Sequence, residues 1–342
     1  MLKLWTEMTA GEFAGLAART VAILPVAATE QHGAHLPAGT DAMILDGILG
    51  AAMAAGGPAR AIILPTQAIG WSSEHGDLPG MLSLEPELLA AAWVALGHQI
   101  ARAGLSRLLI LNSHGGNPPA IALAAMRLRS ESGLLVVQAH WEDLAQPAAL
   151  KPKAAPPHDW HAGWIETSAM LHLRPDLVRM DRARKGGLRY PEGLPPSGPA
   201  RWAWMTTDLS PNGVIGDPRL ASAALGARLV ARAVEGLGAL IERMAAAAWP
   251  PGGPEAEIRP PGAARLRPAG RGKPGRARIR RAPHKAGGGP SSGSRRRACG
   301  RAVGHRVGSA GTAWRQAQSR STLRRHRRRR VDCLQPVAWA RG

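Results

Sequence analysis

The stretch VAILPVAATEQHGAHLPAGTD, residues 21–41, joins an apolar run to a loop that is rich in titratable side chains. The run at 21–28 is short, continuous and rich in β-branched residues, which is typical of a strand buried on both faces of a parallel sheet. The loop after it supplies two acids and two histidines: Glu30, His32, His35 and Asp41. Such a loop is either solvated, in which case its charges carry no chemistry, or it holds a metal ion.

The rest of the N-terminal part repeats this pairing of strand-like and helix-like segments. Strands are predicted at 21–28, 61–65, 107–112 and 134–141, and helices at 9–18, 41–57, 85–104, 118–132 and 218–248. Strands that alternate with helices of this length predict a mostly parallel sheet with helices on both faces, a three-layer α/β/α fold. Ligands of such folds bind at the carboxyl ends of the strands.

Histidine or carboxylate groups follow each of the four predicted strands. In chain order they are Glu30 and His32, then Glu74 and His75, then His114, then His158, His161 and Glu166. Each has an ordinary alternative: a lone histidine is more often a satisfied polar residue, Asp41 is also a suitable helix cap, and Glu30 alone would be solvated. Their joint placement favours a metal site, and imidazole and carboxylate donors without thiolate suit Zn²⁺, Mn²⁺ or Fe²⁺. An aspartate able to bridge indicates two cations about 3.5–4 Å apart.

Charge divides the chain near residue 251. Residues 1–250 carry 20 Lys+Arg and 21 Asp+Glu, whereas residues 251–342 carry 24 and 3. The tail is also rich in Gly and Pro and has no apolar periodicity, so we expect it to be disordered. It is either an RNA- or DNA-binding segment or an extension without function, such as a shifted reading frame through GC-rich DNA would produce. We therefore expect a domain at 1–250 and a low-complexity tail at 251–342.

Both cysteines, Cys299 and Cys333, lie in the tail, so the predicted domain can form no disulfide and no thiolate metal site. The first 13 residues, MLKLWTEMTAGEF, contain no uninterrupted apolar run of the kind a signal peptide needs. No segment approaches the roughly 18 apolar residues expected of a membrane span. These features favour a cytoplasmic protein without membrane partners.

Four blocks together resemble the creatininase family of metal-dependent amidohydrolases. They are LPVAATEQHGAHLPAGTD, SSEHGDLPGMLSL, LILNSHGGN and HAGWIETSAML, in the order of the family. The resemblance implies an α/β/α fold, a homo-oligomer that is often a hexamer, and two divalent metals that activate a water to open a C–N bond. Zn²⁺ is the first expectation, with Mn²⁺ and Fe²⁺ also suited.

Matching motif to motif assigns roles to residues of this chain. The resemblance implies that Glu30, His32, Asp41 and His114 are metal ligands, with Asp41 bridging. His161 and Glu166 fall near the attacking water, His161 as the general acid for the leaving nitrogen. We expect the substrate to be bound by groups around the same strand ends: Glu74, His75 and Trp160.

One position departs from the pattern of creatininase itself. That enzyme has a glutamate ligand two residues after the histidine that matches His114, and this chain has Gly116 there. We expect Glu166 to supply the missing ligand. Because of this departure, three kinds of C–N bond remain candidates for hydrolysis: that of a creatinine-like cyclic amide, that of a formamide and a peptide bond. The alternative from another class is a nucleic-acid-binding protein that acts through its basic tail and has an inactive head.

Overall fold

A computed structural model describes residues 2–57, 60–76, 78–199 and 202–251. These residues form a five-stranded sheet in the order β1-β3-β2-β4-β5, and every pair of neighbouring strands is parallel. The strands are β1 (Lys3–Leu4), β2 (Val21–Val26), β3 (Ala61–Ile63), β4 (Arg107–Asn112) and β5 (Leu135–His140). The predicted α/β class is therefore confirmed.

Eight α-helices accompany the sheet in the described part of the chain. They are α1 (Ala10–Ala14), α2 (Thr40–Ala54), α3 (Pro86–Arg102), α4 (Pro118–Ser132), α5 (Trp141–Ala145), α6 (Trp164–Leu173), α7 (Thr206–Leu209) and α8 (Ala223–Ala246). Helices α3 and α4 pack on each other on one side of the sheet, while α8 contacts α2, α5 and α6 on the other. Among the described residues, no helix combines the length and apolar character that a bilayer crossing requires.

Strand β2 explains why the core has two halves. All six of its residues are buried. Val21 and Ile23 pack in the cluster that contains α2 and α8, whereas Ala22, Leu24 and Val26 pack in the cluster with α3 and α4. Because successive side chains of a strand point to opposite faces, a continuous apolar run is what a strand between two helical layers requires.

Several details differ from the sequence prediction: helix α1 ends at Ala14 rather than at 18, α2 ends at Ala54 rather than at 57, and β3 ends at Ile63 rather than at 65. Strand β1 was not predicted, because two residues at a sheet edge leave no apolar run to recognise. The last helix begins at Ala223 rather than at 218, since Pro218–Leu220 form a 3₁₀ turn and the Ser222 hydroxyl accepts a hydrogen bond from Leu225 N (3.2 Å) as the helix cap. Apart from Pro251, the basic tail lies outside the described residues, and its expected disorder stays a prediction.

Candidate metal centre

Polar side chains from separate strand ends meet in one buried cluster. Glu30 and His32 follow β2, Asp41 lies in the first turn of α2, His114 follows β4, and Glu166 lies in the first turn of α6. His32 Nε2 is 3.2 Å from Asp41 Oδ1 and 3.8 Å from Glu166 Oε2. His114 Nδ1 is 3.1 Å from Glu30 Oε1. All five residues are buried, so the parallel sheet brings acids and imidazoles together away from water.

Three atoms of this cluster have no hydrogen-bond partner although they are buried: Glu30 Oε2, His32 Nε2 and Asp41 Oδ2. Burying a carboxylate is costly unless it is hydrogen-bonded or faces a cation. Asp41 does not act as a helix cap either, because α2 is capped at Gly39 without a side-chain hydrogen bond. The unpaired acceptors fit a bound cation, and the donor set fits a divalent metal ion.

Backbone carbonyls fix the orientation of three histidine rings. The bonds run from His32 Nδ1 to Glu30 O (3.1 Å), from His114 Nε2 to Trp71 O (2.7 Å) and from His161 Nε2 to Gln31 O (2.7 Å). A carbonyl oxygen only accepts, so each of these nitrogens carries the hydrogen. The opposite nitrogen of each ring therefore faces the carboxylates, and once the ring is neutral its lone pair is available to a cation there. A backbone carbonyl on the far nitrogen is the usual partner of a metal-ligating histidine.

The donor atoms fall into groups small enough to hold an ion. Glu30, Asp41 and His114 form one group, and His32, Asp41 and Glu166 form another, with the donor atoms of each within 4.8 Å of one another. Asp41 belongs to both groups, one carboxylate oxygen facing His32 and the other His114. Two further groups overlap with these: Glu30, His32 and His161, and Glu30, Glu74 and His75.

The chain is similar to known proteins of one family. The family model creatininase, described as creatinine amidohydrolase, matches residues 6–241.

The chain belongs to the creatininase family.

A mycofactocin precursor peptide peptidase of Mycolicibacterium smegmatis is 34% identical over 224 residues, which are 65% of this chain and 84% of that protein. A creatinine amidohydrolase of Pseudomonas putida is 31% identical over 194 residues, which are 52% of this chain and 72% of that protein. A solved structure described as "Creatininase Mn" matches with a TM-score of 0.57 and 25% identity, covering 71% of this chain and 99% of its own. The family places the protein among the hydrolases of carbon–nitrogen bonds.

A side chain at position 116 would not fit in this structure. A Cβ atom on Gly116 would collide with Trp71 O and His114 Nε2 and would lie 2.6 Å from Glu74 Oε1. The Glu74 carboxylate therefore occupies the space into which a side chain at 116 would extend. Any replacement ligand has to come from another element, and Glu166 and Glu74 are the carboxylates, besides Glu30 and Asp41, that belong to candidate ion groups of the described residues.

Burial and neighbouring charge shift the pKa values across the cluster. Burial lowers the pKa of His32, but the carboxylates of Asp41 and Glu166 outweigh it and raise the pKa to about 10. Burial also lowers the pKa of His114, but the Glu30 carboxylate outweighs it and raises the pKa to about 10. Metal binding to either ring has to displace a proton.

Two groups of the same cluster shift in ways that bear on proton transfer. Burial raises the pKa of Glu166 to about 7. Burial, followed by the nearby His32, lowers the pKa of His161 well below its usual value. A ring with a lowered pKa is neutral at pH 7. It has to take up a proton before it can donate one.

Two of the sequence-predicted histidines lie outside the cluster. His35 is buried, but its Nε2 lies 3.0 Å from Thr167 Oγ1, away from the acids. His158 packs its ring against Trp160, with the ring centroids 4.7 Å apart. Both fit the ordinary interpretation of a histidine that is part of the packing rather than of a metal site.

A cavity of about 700 Å³ opens above the cluster and contains the three expected substrate-binding residues Glu74, His75 and Trp160. Four tryptophans line it and are here called the aromatic wall: Trp71, Trp160, Trp202 and Trp204, with Met205 next to Trp204 in the chain. The rings of Trp160 and Trp204 are nearly parallel, at 15°, with their centroids 6.5 Å apart. The cavity thus combines the acids and histidines of the cluster with a tryptophan-rich lining.

Several lining residues were missed by the sequence analysis. They are His140, Glu142, Asp159, Trp202, Trp204 and Thr206. The spacing of Trp202 and Trp204, two residues apart in the described segment after 201, is the one signal that could have indicated a shared face of extended chain. Asp159 also has a structural task, since its carboxylate accepts hydrogen bonds from Trp164 N and Ile165 N at the start of α6.

Proposed function

We propose that this chain is a metal-dependent peptidase that binds two divalent cations, with Zn²⁺ as the first candidate metal. Glu30, Asp41 and His114 would hold one ion, and His32, Asp41 and Glu166 the other. The observation that carries the proposal is the buried Asp41 carboxylate between two histidines, each with its far nitrogen tied to a backbone carbonyl. When bound, such a pair of cations lowers the pKa of water toward 7 and polarises a carbonyl oxygen.

The residues of the chain supply the proton transfers. The Nε2–H of His161 is held by Gln31 O, so the free lone pair is on Nδ1, which lies 3.6 Å from Glu30 Oε1. The neutral ring can accept a proton from the attacking water at Nδ1 and then deliver it to the leaving nitrogen. The two-step role needs no change of ring orientation, because the same atom faces the site throughout.

The size and lining of the cavity favour a peptide over a small cyclic amide. A volume of about 700 Å³ is in the range of sites that enclose drug-sized ligands. A single small ring would leave most of this volume to water. The peptidase relative at 34% identity covers more of this chain than the creatinine amidohydrolase at 31% does.

Hydrolysis assays on the full chain with Zn²⁺ or Mn²⁺ test the proposal directly. We expect turnover of short peptides, particularly those with bulky apolar side chains, and weak or no turnover of creatinine and simple formamides. Turnover confined to creatinine or to formamides would contradict the peptide assignment while leaving the metal site in place.

Substitution of the aromatic wall is expected to weaken substrate binding. Trp160→Ala or Trp204→Ala should raise KM for a cleaved peptide by up to about tenfold, because one aromatic contact contributes about 0.5–1.5 kcal/mol beyond its buried area. Bound metal, measured by mass spectrometry, should not change. Trp249→Ala is the matched control, since that ring packs against Arg129 and donates to Gly133 O away from the cavity. An unchanged KM in both wall variants would remove these rings from substrate binding.

The nucleic-acid alternative depends on the tail alone. A truncated chain that ends at Pro250 should keep its metal and its turnover, because every candidate ligand precedes that residue, and it should lose any salt-sensitive binding to RNA or DNA. Loss of turnover on truncation would show that the tail contributes to the site or to assembly. Resequencing the gene across codons 251–342 tests the reading-frame alternative.

Assembly and location remain proposals as well. We infer a homo-oligomer, a hexamer by the family resemblance, in the cytoplasm. Three leucines between β3 and the first turn of α3 are exposed in the single chain, and contact with a second copy would bury them: Leu82, Leu84 and Leu88. Light scattering on the purified chain measures the oligomer directly.

A further inference from the structure

His75 differs from the other histidines of the site in what its ring contacts. It ends a 3₁₀ turn, Ser73–His75, and is buried. Its Nε2 lies 3.3 Å from Glu30 Oε1. Its Nδ1 lies 2.9 Å from Gln31 Nε2 and 2.9 Å from Thr206 Oγ1, with no backbone carbonyl among these contacts. The tautomer of this ring is therefore decided by a side-chain amide.

The amide of Gln31 can adopt one orientation only. Its Oε1 accepts a hydrogen bond from Gly33 N (2.9 Å), and its Nε2 donates to Gly213 O (2.9 Å). Exchanging the two atoms would set the amide nitrogen against a backbone N–H and the amide oxygen against a carbonyl. The nearby His161 Nε2 already carries its hydrogen toward Gln31 O and cannot accept another. The second hydrogen of Gln31 Nε2 thus goes to His75 Nδ1.

A ring nitrogen that accepts a hydrogen bond carries no hydrogen in the neutral imidazole. With Nδ1 of His75 acting as the acceptor, its hydrogen must be on Nε2, and Nε2–H points at the Glu30 carboxylate. The arrangement is the reverse of His32, His114 and His161, whose far nitrogen carries the hydrogen and whose neutral rings offer the lone pair on the acid side.

We propose that His75 is a positioning residue that donates its Nε2–H to Glu30 and binds no cation. The inference rests on the proposed function in one respect, the role of Glu30 as a metal ligand. It excludes the group Glu30, Glu74 and His75 as an ion site, because His75 has no lone pair to offer there.

The same ring connects the candidate metal centre with the aromatic wall. Thr206 begins α7, directly after Trp204 and Met205 in the chain, and its hydroxyl contacts His75 Nδ1. Ligating carboxylates are commonly oriented by outer hydrogen bonds of this kind, and loss of such a partner typically lowers metal affinity about 10- to 100-fold. Thr206, which follows the wall residue Trp204 in the chain, therefore contacts the ring that holds the candidate ligand Glu30.

Nitrogen NMR of the ¹⁵N-histidine-labelled full chain tests the tautomer without any hydrolysis assay. His75→Asn identifies the His75 signals by their loss. In the Zn²⁺-loaded protein we expect a hydrogen on Nε2 and a bare Nδ1, with no shift of either nitrogen toward the metal-bound range. A hydrogen on Nδ1, or a metal-bound nitrogen, would overturn the proposal. Absence of peptidase activity would affect the proposed function and leave this result standing.

Metal competition against a chelator tests the consequence for Glu30. His75→Leu should weaken Zn²⁺ binding about 10- to 100-fold without changing the number of ions bound at saturation. His75→Gln keeps an amide donor and should stay within a few-fold of the original protein. His98→Leu is the matched control, because His98 Nε2 pairs with Glu131 (3.2 Å) away from the cavity. A lost metal equivalent, or unchanged affinity in His75→Leu, would contradict the assignment.

Discussion

Replacement of Asp41 by alanine is expected to remove bound metal and hydrolysis together. Its carboxylate is the one group shared by both candidate ion positions, 3.2 Å from His32 Nε2 through Oδ1 and 3.5 Å from His114 Nδ1 through Oδ2. Without it each position keeps two donors of its group, and the two ions lose the anion between them. We expect metal content by mass spectrometry to fall to near zero and turnover to fall below detection.

The neighbouring Asp46 provides the control on the same helix. It lies further along α2, where its Oδ1 accepts a hydrogen bond from Thr66 Oγ1 (2.6 Å) outside the cluster. Asp46→Ala should keep both metal and turnover. A preparation that hydrolyses peptides after exhaustive chelation, or an Asp41→Ala variant with full metal content, would contradict a metal mechanism centred on this residue.

The positions of the candidate ligands could be predicted from sequence because they depend on local rules. A parallel sheet brings the residues that follow its strands to one edge, so Glu30, His32 and His114 needed only correct strand ends. Asp41 was ambiguous, since a residue in the first turn of a helix is equally suited to capping. Only the distances to His32 and His114 decide between the two.

Other features depend on contacts between distant parts of the chain. The bond between Thr206 and His75 spans 131 positions, and the one between Gln31 and Gly213 spans 182. Neither periodicity nor motif spacing carries such information. The collision of a side chain at Gly116 with Trp71 O depends likewise on how the loop after β3 folds against the loop after β4. The sequence indicated that a ligand was missing there but not that the space was already filled.

The second large effect concerns Glu166, for which a ligand role and a structural role predict different outcomes. Its carboxylate is buried, and Oε2 accepts a hydrogen bond from Ala162 N (2.6 Å) and lies 3.8 Å from His32 Nε2. As a ligand it completes the group of His32 and Asp41, so Glu166→Gln should sharply lower metal occupancy. If the carboxylate only stabilises the first turn of α6, it contributes about 0.3–1 kcal/mol to the stability of that helix. Metal occupancy and turnover would then hardly change in Glu166→Gln.

His161→Ala supplies the contrasting case. If His161 only moves protons, the variant should keep nearly full metal occupancy and lose roughly 10²- to 10⁴-fold in turnover, the range for general acid–base groups. Measuring metal content beside turnover in both variants separates a lost ligand from a lost proton carrier. Full occupancy in Glu166→Gln would refute its ligand role. The third donor would then have to come from another group around His32, and among the described residues Glu30 and His161 form such a group with it.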